Sequence, residues 1–450
     1  MNIKDKVPAE VIEVWDALEE NGLTYLVGGA LRDLYLDKPP HDWDLSTKLT
    51  PTEVERIGKE HGWRVIPTGI TFGTVTILSP IGGIEVTTFR KEGRYKDGRH
   101  PQDVKFAETI EEDLSRRDFT INAMALSWDG RLIDPYEGYQ DIIKRQIITV
   151  GDAVDRFTED PLRMLRGIRF TGLDAYGDPF VLGIGVAMEI TRLKPLILNV
   201  SGERQRDELM KILSQPHFEF ALQMLVSTGL LGMIWPEWIA AYNFDQQNKH
   251  HNVYKYVHEH LLMTSIAGKN PLMRLVGLLH DIGKPSCFVV DDKGQGHFYE
   301  HDHVGAIYAR RMLERLAFDR DTIDHVTMLI DQHMFPWDEA GHKSIRRMVR
   351  EHGLERVHEM LELRRMDVAG SGREWENQKK VWNKVQKAVE NVPDKAEWKL
   401  EISGKDVMEV KGIGSGPEVG RYLRILTDWV DEHPEFNTYE ALMSQLKNIS

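Results

Sequence analysis

The sequence predicts an α+β protein: a small N-terminal domain with a mixed sheet and flanking helices, followed by an all-α remainder. Three observations carry this. Strand and helix patterns alternate through the first 90 or so residues. A glycine pair closes the first apolar strand and opens a helix at Val27-Gly28-Gly29-Ala30-Leu31-Arg32-Asp33. From about residue 108 onward the hydrophobic period is helical, interrupted by Gly and Pro near 172–185, 214–216 and 231–236.

The elements follow in order. Residues 8–21 read as an amphipathic helix on Val11, Val14, Trp15 and Leu18, ended by Asn21-Gly22. A strand is predicted at 24–28, a helix from about 29 to 36 and a strand at 43–47. Thr50-Pro51-Thr52-Glu53 is a helix start, with Pro directly after a Thr cap. Strands follow near 63–66, 72–78 and 84–89, the last two joined by a hairpin over Ser79–Gly83. Residues 371–400 read as helix plus linker, with Trp375, Trp382 and Trp398 interspersed. A small helical unit is expected over 403–450, with a helix from about 418 after Gly412, Gly414, Gly416 and Pro417.

Composition narrows the class. The chain has 450 residues, and 57 Lys and Arg against 71 Asp and Glu give a net charge of −14. An acidic total excludes indiscriminate nucleic-acid binding, so any RNA contact must be a local basic patch. The single cysteine, Cys287, excludes an intrachain disulfide and a Cys-rich zinc site. Its expected role is that of a small buried hydrophobe. No apolar run has the length of a membrane span, and the start, MNIKDKVPAE, has no signal-peptide core. A cytoplasmic protein is expected.

The first chemical motif joins the glycine turn to His41-Asp42-Trp43-Asp44-Leu45. Side chains alternate along a strand, so Asp42 and Asp44 are expected on one face. Mg²⁺ takes oxygen ligands and binds through one or two carboxylates plus phosphate oxygens. Backbone N–H groups at Gly28 and Gly29 would approach those phosphates. This combination points to nucleotidyl transfer, with two Mg²⁺ ions about 3.5–4 Å apart clamping an in-line displacement. Glu85, in Ile84-Glu85-Val86-Thr87-Thr88, is either a third acid at the metals or a solvated edge-strand Glu.

In Arg116-Arg117-Asp118-Phe119-Thr120-Ile121-Asn122-Ala123 the adjacent arginines offer forked donors to triphosphate oxygens. Asp118 is a candidate acceptor from a ribose hydroxyl, and Asn122, four residues on, is expected on the same helix face. An ordinary helix start with surface ion pairs is the alternative. Residues 90–101, basic and glycine-punctuated, read as a loop for phosphate or RNA, or as a solvated one. Glu159-Asp160-Pro161-Leu162-Arg163-Met164-Leu165-Arg166 reads as a helix opening. Asp160 and Arg163, at i and i+3, would share one face, as acceptor and donor. Cytosine and adenine each offer an amino donor beside a ring-nitrogen acceptor, so a fixed Asp/Arg pair selects C and A over U and G. An intrahelical ion pair is the alternative.

Taken together, these ordered motifs resemble the class II tRNA nucleotidyltransferases, the bacterial CCA-adding enzymes, which share a polymerase-β-like head with bacterial poly(A) polymerases. The resemblance covers 1–215. It implies CCA addition to tRNA 3′ ends from CTP and ATP, with Asp42 and Asp44 holding Mg²⁺ and Asp118 at the ribose. Arg117 and Arg32 would serve the phosphates, and Asp160, Arg163 and Arg166 the incoming nucleotide. A poly(A) polymerase or an A-only enzyme is the alternative. Ala30 and Trp43 are small departures from the family pattern. The run Lys343, Arg346, Arg347 and Arg350 is a candidate tRNA contact, or else a solvated helix face.

A second constellation spans His260, His280-Asp281, His301, His333 and Asp367. Imidazole and carboxylate suit a divalent transition metal. Leu278-Leu279-His280-Asp281-Ile282-Gly283-Lys284-Pro285 resembles HD-domain phosphohydrolases. Among the histidines, His260 is preferred to His258 as the first ligand, and the late acid is Asp331 or Asp367. The resemblance implies a second divalent metal and phosphohydrolase activity on RNA ends. The resulting division is a catalytic head at 1–150, a helical neck at 151–244, an HD-type domain at 245–370 and a helical tail at 371–450. The expected partners are tRNA, CTP and ATP, with no membrane and no obligate protein partner.

Overall fold

A computed structural model describes residues 3–70, 73–91, 105–247, 254–292, 294–390 and 399–449. Its contacts divide the chain into two compact units, 1–239 with 315–318 and 240–314 with 319–450.

In the first unit, α1 (Ala9–Glu19) buries Val11, Val14, Trp15 and Leu18, the stripe expected of a 3.6-residue period. β1 (Thr24–Val27) runs into α2 (Gly28–Tyr35), and β2 (Trp43–Thr47) follows. α3 (Pro51–Glu60) starts on a capping box: Thr50 accepts from the Glu53 N–H while Glu53 accepts from the Thr50 N–H. β3 (Arg64–Gly69), β4 (Thr74–Ser79) and β5 (Gly82–Thr88) complete the antiparallel part. Only Pro80 and Ile81 lie between β4 and β5, a tighter hairpin than the sequence suggests. β6 (Arg90–Lys91) and β7 (Lys105–Phe106) pair with each other. α4 (Ile110–Ser115), β8 (Ala125–Leu126), β9 (Leu132–Ile133) and α5 (Gly138–Lys144) follow, then the neck helices α6 (Ala153–Glu159), α7 (Leu162–Thr171), α8 (Ile184–Leu193) and α9 (Gly202–Leu213).

The sheet order is β3-β4-β5-β2-β1-β8-β9. Within this sheet, among the described residues, only β2 and β5 run parallel, and their register sets Asp44 opposite Glu85. Every other pair in this sheet is antiparallel. β8 and β9 correct the expectation of helix alone beyond 108. At two residues each they are too short to carry a period of two, and they form because β1 offers them a free edge. Val27, Phe89, Ala107, Ile110, Leu114 and Ala125 form one buried cluster.

The second unit is helical. Its principal helices are Val257–Ile266, Pro271–Leu279, His301–Arg315, Arg320–Asp331, His342–His352, Leu354–Gly370 and Gln378–Val389. The last of these is the helix expected within 371–400, while Trp398 lies outside the described residues. Gly404–Lys411, Pro417–Glu432 and Tyr439–Asn448 close on their own core of Val407, Leu426, Leu442 and Leu446. Among the described residues no helix is long and apolar enough to cross a membrane.

Candidate functional site

β1 ends where α2 begins, and the turn is built for close approach. Gly28 has φ +75°, and a Cβ there would lie 3.0 Å from Asp44 Oδ2 and 3.1 Å from Arg117 Nη1. The glycine therefore supplies both the left-handed backbone and the space. The N-terminus of α2, an eight-residue helix, opens beside these groups.

Asp42 does not sit on β2, which begins at Trp43; it lies in the bend before it. The alternation still holds, since Trp43 is buried between two acids that line the same cavity. Glu85 lines it too, beside Asp44, as its place on β5 requires. Burial, then Glu85, pushes the Asp44 carboxyl up to about 6, with Arg117 opposing. Crowding acids together like this is unfavourable unless a cation shares them, and the donor set is all oxygen, which fits Mg²⁺.

The cavity has a volume of about 1080 Å³. Its lining holds ten Lys and Arg side chains against six Asp and Glu, a local positive excess in a chain of net charge −14. Such a basin favours a polyanion. Arg32 donates to Asn122 Oδ1 at 2.8 Å and pairs with Asp33 at 2.7 Å. Arg117 Nη1 donates to the Asn122 carbonyl. Asp118 and Asn122 do face each other, with Asn122 Nδ2 donating to Asp118 Oδ1 at 3.3 Å. They do so across a 3₁₀ turn, Thr120–Asn122, and not along an α-helix.

Asp118 also accepts from the Phe119 N–H and forms an ion pair with Arg166 at 2.6 Å. Burial would raise its carboxyl, but Arg166 outweighs that and holds it down to about 2. Asp160 and Arg163 line the cavity without sharing a helix face. Asp160 is the extended residue after α6, and Pro161 caps α7, so Glu159 ends one helix rather than opening the next. Proline restricts the residue before it to extended backbone, which breaks the i, i+3 relation. Asp160 pairs with Arg204 at 2.8 Å, and Arg163 with Glu159 at 2.6 Å.

Arg204 on α9 carries no signal in the sequence, nor do Lys38, Arg169 and Lys211, which share the lining; Arg90, from the basic segment 90–101, lines it too. The first four lie far apart in sequence and carry no motif. Of the segment 90–101, residues 92–101 lie outside the described residues.

In the second unit the helices Val257–Ile266, Pro271–Leu279, His301–Arg315 and Leu354–Gly370 converge on Asp281. Two groups form, His260, His280 and Asp367, and Asp281, His301 and His333. Asp281 joins them: Oδ2 is 3.2 Å from His260 and 3.3 Å from His280, while Oδ1 is 3.2 Å from His301 and 3.5 Å from His333. His280, His301 and His333 turn Nδ1 to the carbonyls of Gly277, Phe298 and Ile330. That leaves Nε2 of each facing inward, the orientation a metal-binding His takes. Burial disfavours charge on His280, but Asp281 and Asp367 raise it to about 10. Neither alternative joins: His258 Nδ1 accepts from the Asn243 N–H, and Asp331 pairs with exposed His303.

Two other expectations change. Cys287 is half-buried beside an exposed hairpin, not in the core. Arg346 donates to carbonyls of Ala388, Asp431 and Glu432, and Arg350 pairs with Asp431 at 2.9 Å. Those two arginines tie helices together, which leaves Arg347 and Lys343 as the exposed members of the run.

Fold and site together define the class: a mixed-sheet head with an acid- and arginine-lined cavity, on a helical body that includes an HD domain. Residues 24–148 match the poly A polymerase head domain, 184–242 the probable RNA and SrmB-binding site of polymerase A, and 261–369 the HD domain. The particular proteins it resembles are CCA-adding enzymes. That of Bacillus cytotoxicus is 43% identical over 216 residues, 48% of this chain and 52% of the relative. That of Geobacillus thermodenitrificans is 44% identical over 206 residues, 46% and 49%. The chain thus spans about half the length of the curated relatives it matches. The solved Bacillus stearothermophilus CCA-adding enzyme in complex with CTP is similar over 98% of this chain and 96% of its own, at 27% identity and TM-score 0.71. The Thermotoga maritima CCA-adding enzyme complexed with tRNA shares the fold at 18% identity, TM-score 0.61, over 99% and 96%.

Proposed function

We propose that this protein is a Mg²⁺-dependent, template-independent tRNA nucleotidyltransferase that adds C, C and A to tRNA 3′ ends from CTP and ATP in the cytoplasm. The observation that carries this reading is the pairing of Asp44 with Glu85 on parallel strands beside Asp42, Gly28 and the arginines of a single basic cavity. The similarity to CCA-adding enzymes, one of them solved in complex with CTP, supports the choice of substrate.

Asp42, Asp44 and Glu85 would hold Mg²⁺. When bound, it activates the 3′-hydroxyl and neutralises the leaving pyrophosphate. Gly28 and Gly29 let the α2 backbone N–H groups meet the triphosphate, and Arg32, Arg117 and Asn122 fix its oxygens. Asp118, kept ionised by Arg166, accepts from the ribose. Asp160 accepts from the exocyclic amino group of C or A, and Arg163 donates to the ring nitrogen. Arg204 fixes the acceptor's position. Positioning and electrostatics carry most of the catalysis in such transfers. The working division is head 1–150, neck 151–244, HD domain 245–370 and tail 371–450.

The test supplies tRNA lacking its 3′ end with each nucleotide alone, then with CTP plus ATP. Two C and then one A are expected. A long A tract would point to a poly(A) polymerase, A on a CC end alone to an A-only enzyme, and no incorporation would reject the reading. A second activity, phosphoester hydrolysis at RNA ends by the HD domain, is favoured by the two ligand groups sharing Asp281. Release of phosphate or opening of a cyclic phosphate, abolished by Asp281→Ala, tests it.

A further inference from the structure

We infer that Asp113 is a positioning residue of the head: it fixes the arginines that receive the nucleotide and locks them to the strand carrying Asp44. The inference rests on reading the cavity as a nucleoside triphosphate site.

Asp113 lies on α4, and its side chain is fully buried. It is absent from the cavity lining, yet three residues it holds belong to that lining. Oδ1 accepts from Arg116 Nε at 2.9 Å and Nη2 at 2.8 Å, a two-pronged clasp, and from the Arg90 main-chain N–H at 3.1 Å. Oδ2 accepts from Arg117 Nη2 at 3.4 Å and from Ser46 Oγ at 3.3 Å. Ser46 sits two residues after Asp44 on β2, so both project to the same side of the strand. One carboxylate therefore ties together two arginine side chains, the main chain where β6 begins and the acid-bearing strand.

An arginine side chain samples many rotamers, and ordering it on binding costs affinity. A guanidinium held in advance by a buried carboxylate avoids that cost and presents its remaining N–H groups in a set direction. A carboxylate buried at this depth needs several donors, which Arg116, Arg117, Arg90 and Ser46 supply. The arrangement explains why an acid stands behind a phosphate-binding wall without facing the phosphates.

The test uses the full chain with Asp113→Asn, which keeps the shape and removes the charge, and Ser46→Ala, which removes one hydrogen bond. CTP binding with Mg²⁺ is measured by calorimetry, beside KM for CTP, KM for tRNA and the thermal midpoint. Asp113→Asn is expected to weaken CTP binding and raise its KM about tenfold, the size of a lost charge-assisted hydrogen bond. KM for tRNA should stay within about twofold. Ser46→Ala should move CTP binding the same way, about threefold. A purely structural acid would lower the thermal midpoint and leave CTP binding in the folded fraction unchanged, which would overturn the inference. Should Asp113→Asn not fold, unchanged CTP affinity in Ser46→Ala would overturn it. A wild-type chain that binds CTP but adds nothing to tRNA removes the proposed function and leaves this inference standing. CCA addition together with undiminished CTP binding by Asp113→Asn does the reverse.

Discussion

Gly28→Ala isolates what the glycine turn contributes. Two costs arise at this position. An L-residue in the left-handed region loses about 1–2 kcal/mol. The new methyl also meets Asp44 Oδ2 at 3.0 Å and Arg117 Nη1 at 3.1 Å, so carboxylate and guanidinium must each give way. Gly62 provides the matched comparison: its φ is +73°, and a Cβ there meets nothing within 4 Å. Gly62→Ala therefore carries the strain alone. Both variants should lose thermal stability, Gly28→Ala the more because it carries the clash as well as the strain, on the order of 2–4 °C per kcal/mol for a domain of this size. Only Gly28→Ala should lose nucleotide incorporation, by about 10–100-fold, because small displacements of reacting groups are costly. Incorporation of radiolabelled CTP into tRNA lacking its 3′ end, at matched folded fraction, measures this. Equal activity in the two variants would refute the reasoning, since it would mean the approach of backbone to Asp44 is not used.

Three further outcomes are expected. Asp118 has its carboxyl held at about 2 by Arg166 against an ordinary 3.8, so the pair stabilises the fold above pH 4 and that contribution is lost as pH falls from about 4 to 2. The amount is about 2 kcal/mol, and acid unfolding of Asp118→Asn should be correspondingly less steep in that window; an unchanged acid limb would contradict the assignment. Arg204→Ala frees the Asp160 carboxylate and should erode discrimination of CTP over UTP about tenfold, measured as a ratio of kcat/KM values, with Arg204→Lys intermediate. In the second unit, Asp281→Ala should abolish metal binding in both groups and Asp367→Ala in one only, read as metal per chain after equilibration with Mn²⁺; retention of a metal by Asp281→Ala would show that Asp281 does not serve both.

Much of the site was legible because its motifs are local. Gly28-Gly29, Asp42/Asp44 and Arg116–Asn122 each sit within a few residues, and their chemistry follows from residue type and spacing. The limits were geometric. Asp160 and Arg163 lose their common face because Pro161 separates two helices, and each finds a partner elsewhere. Asp118 meets Asn122 over a 3₁₀ turn that no helical period signals. β8 and β9 are invisible as strands, since two residues carry no alternation and pairing with β1 is a long-range event. The basic run at 343–350 had two readings, and Arg346 and Arg350 took neither, because a helix end came to lie against them.

Residue spacing along the chain already dictates the alternation of elements, the apolar faces that bury, and which residue types stand ready for metal and phosphate. Those properties depend on neighbours along the chain, whose spacing is fixed by covalent geometry. Which acids meet is settled only when the whole chain folds. Glu85 lines up with Asp44 only because β5 runs parallel to β2, and Asp281 serves two histidine groups only because four helices converge on it. Folding also reverses the charge of an acidic chain locally, by gathering arginines from segments as distant as Arg32 and Arg204 around one cavity. Contacts of that range are selected by packing the whole core, which no window of sequence contains.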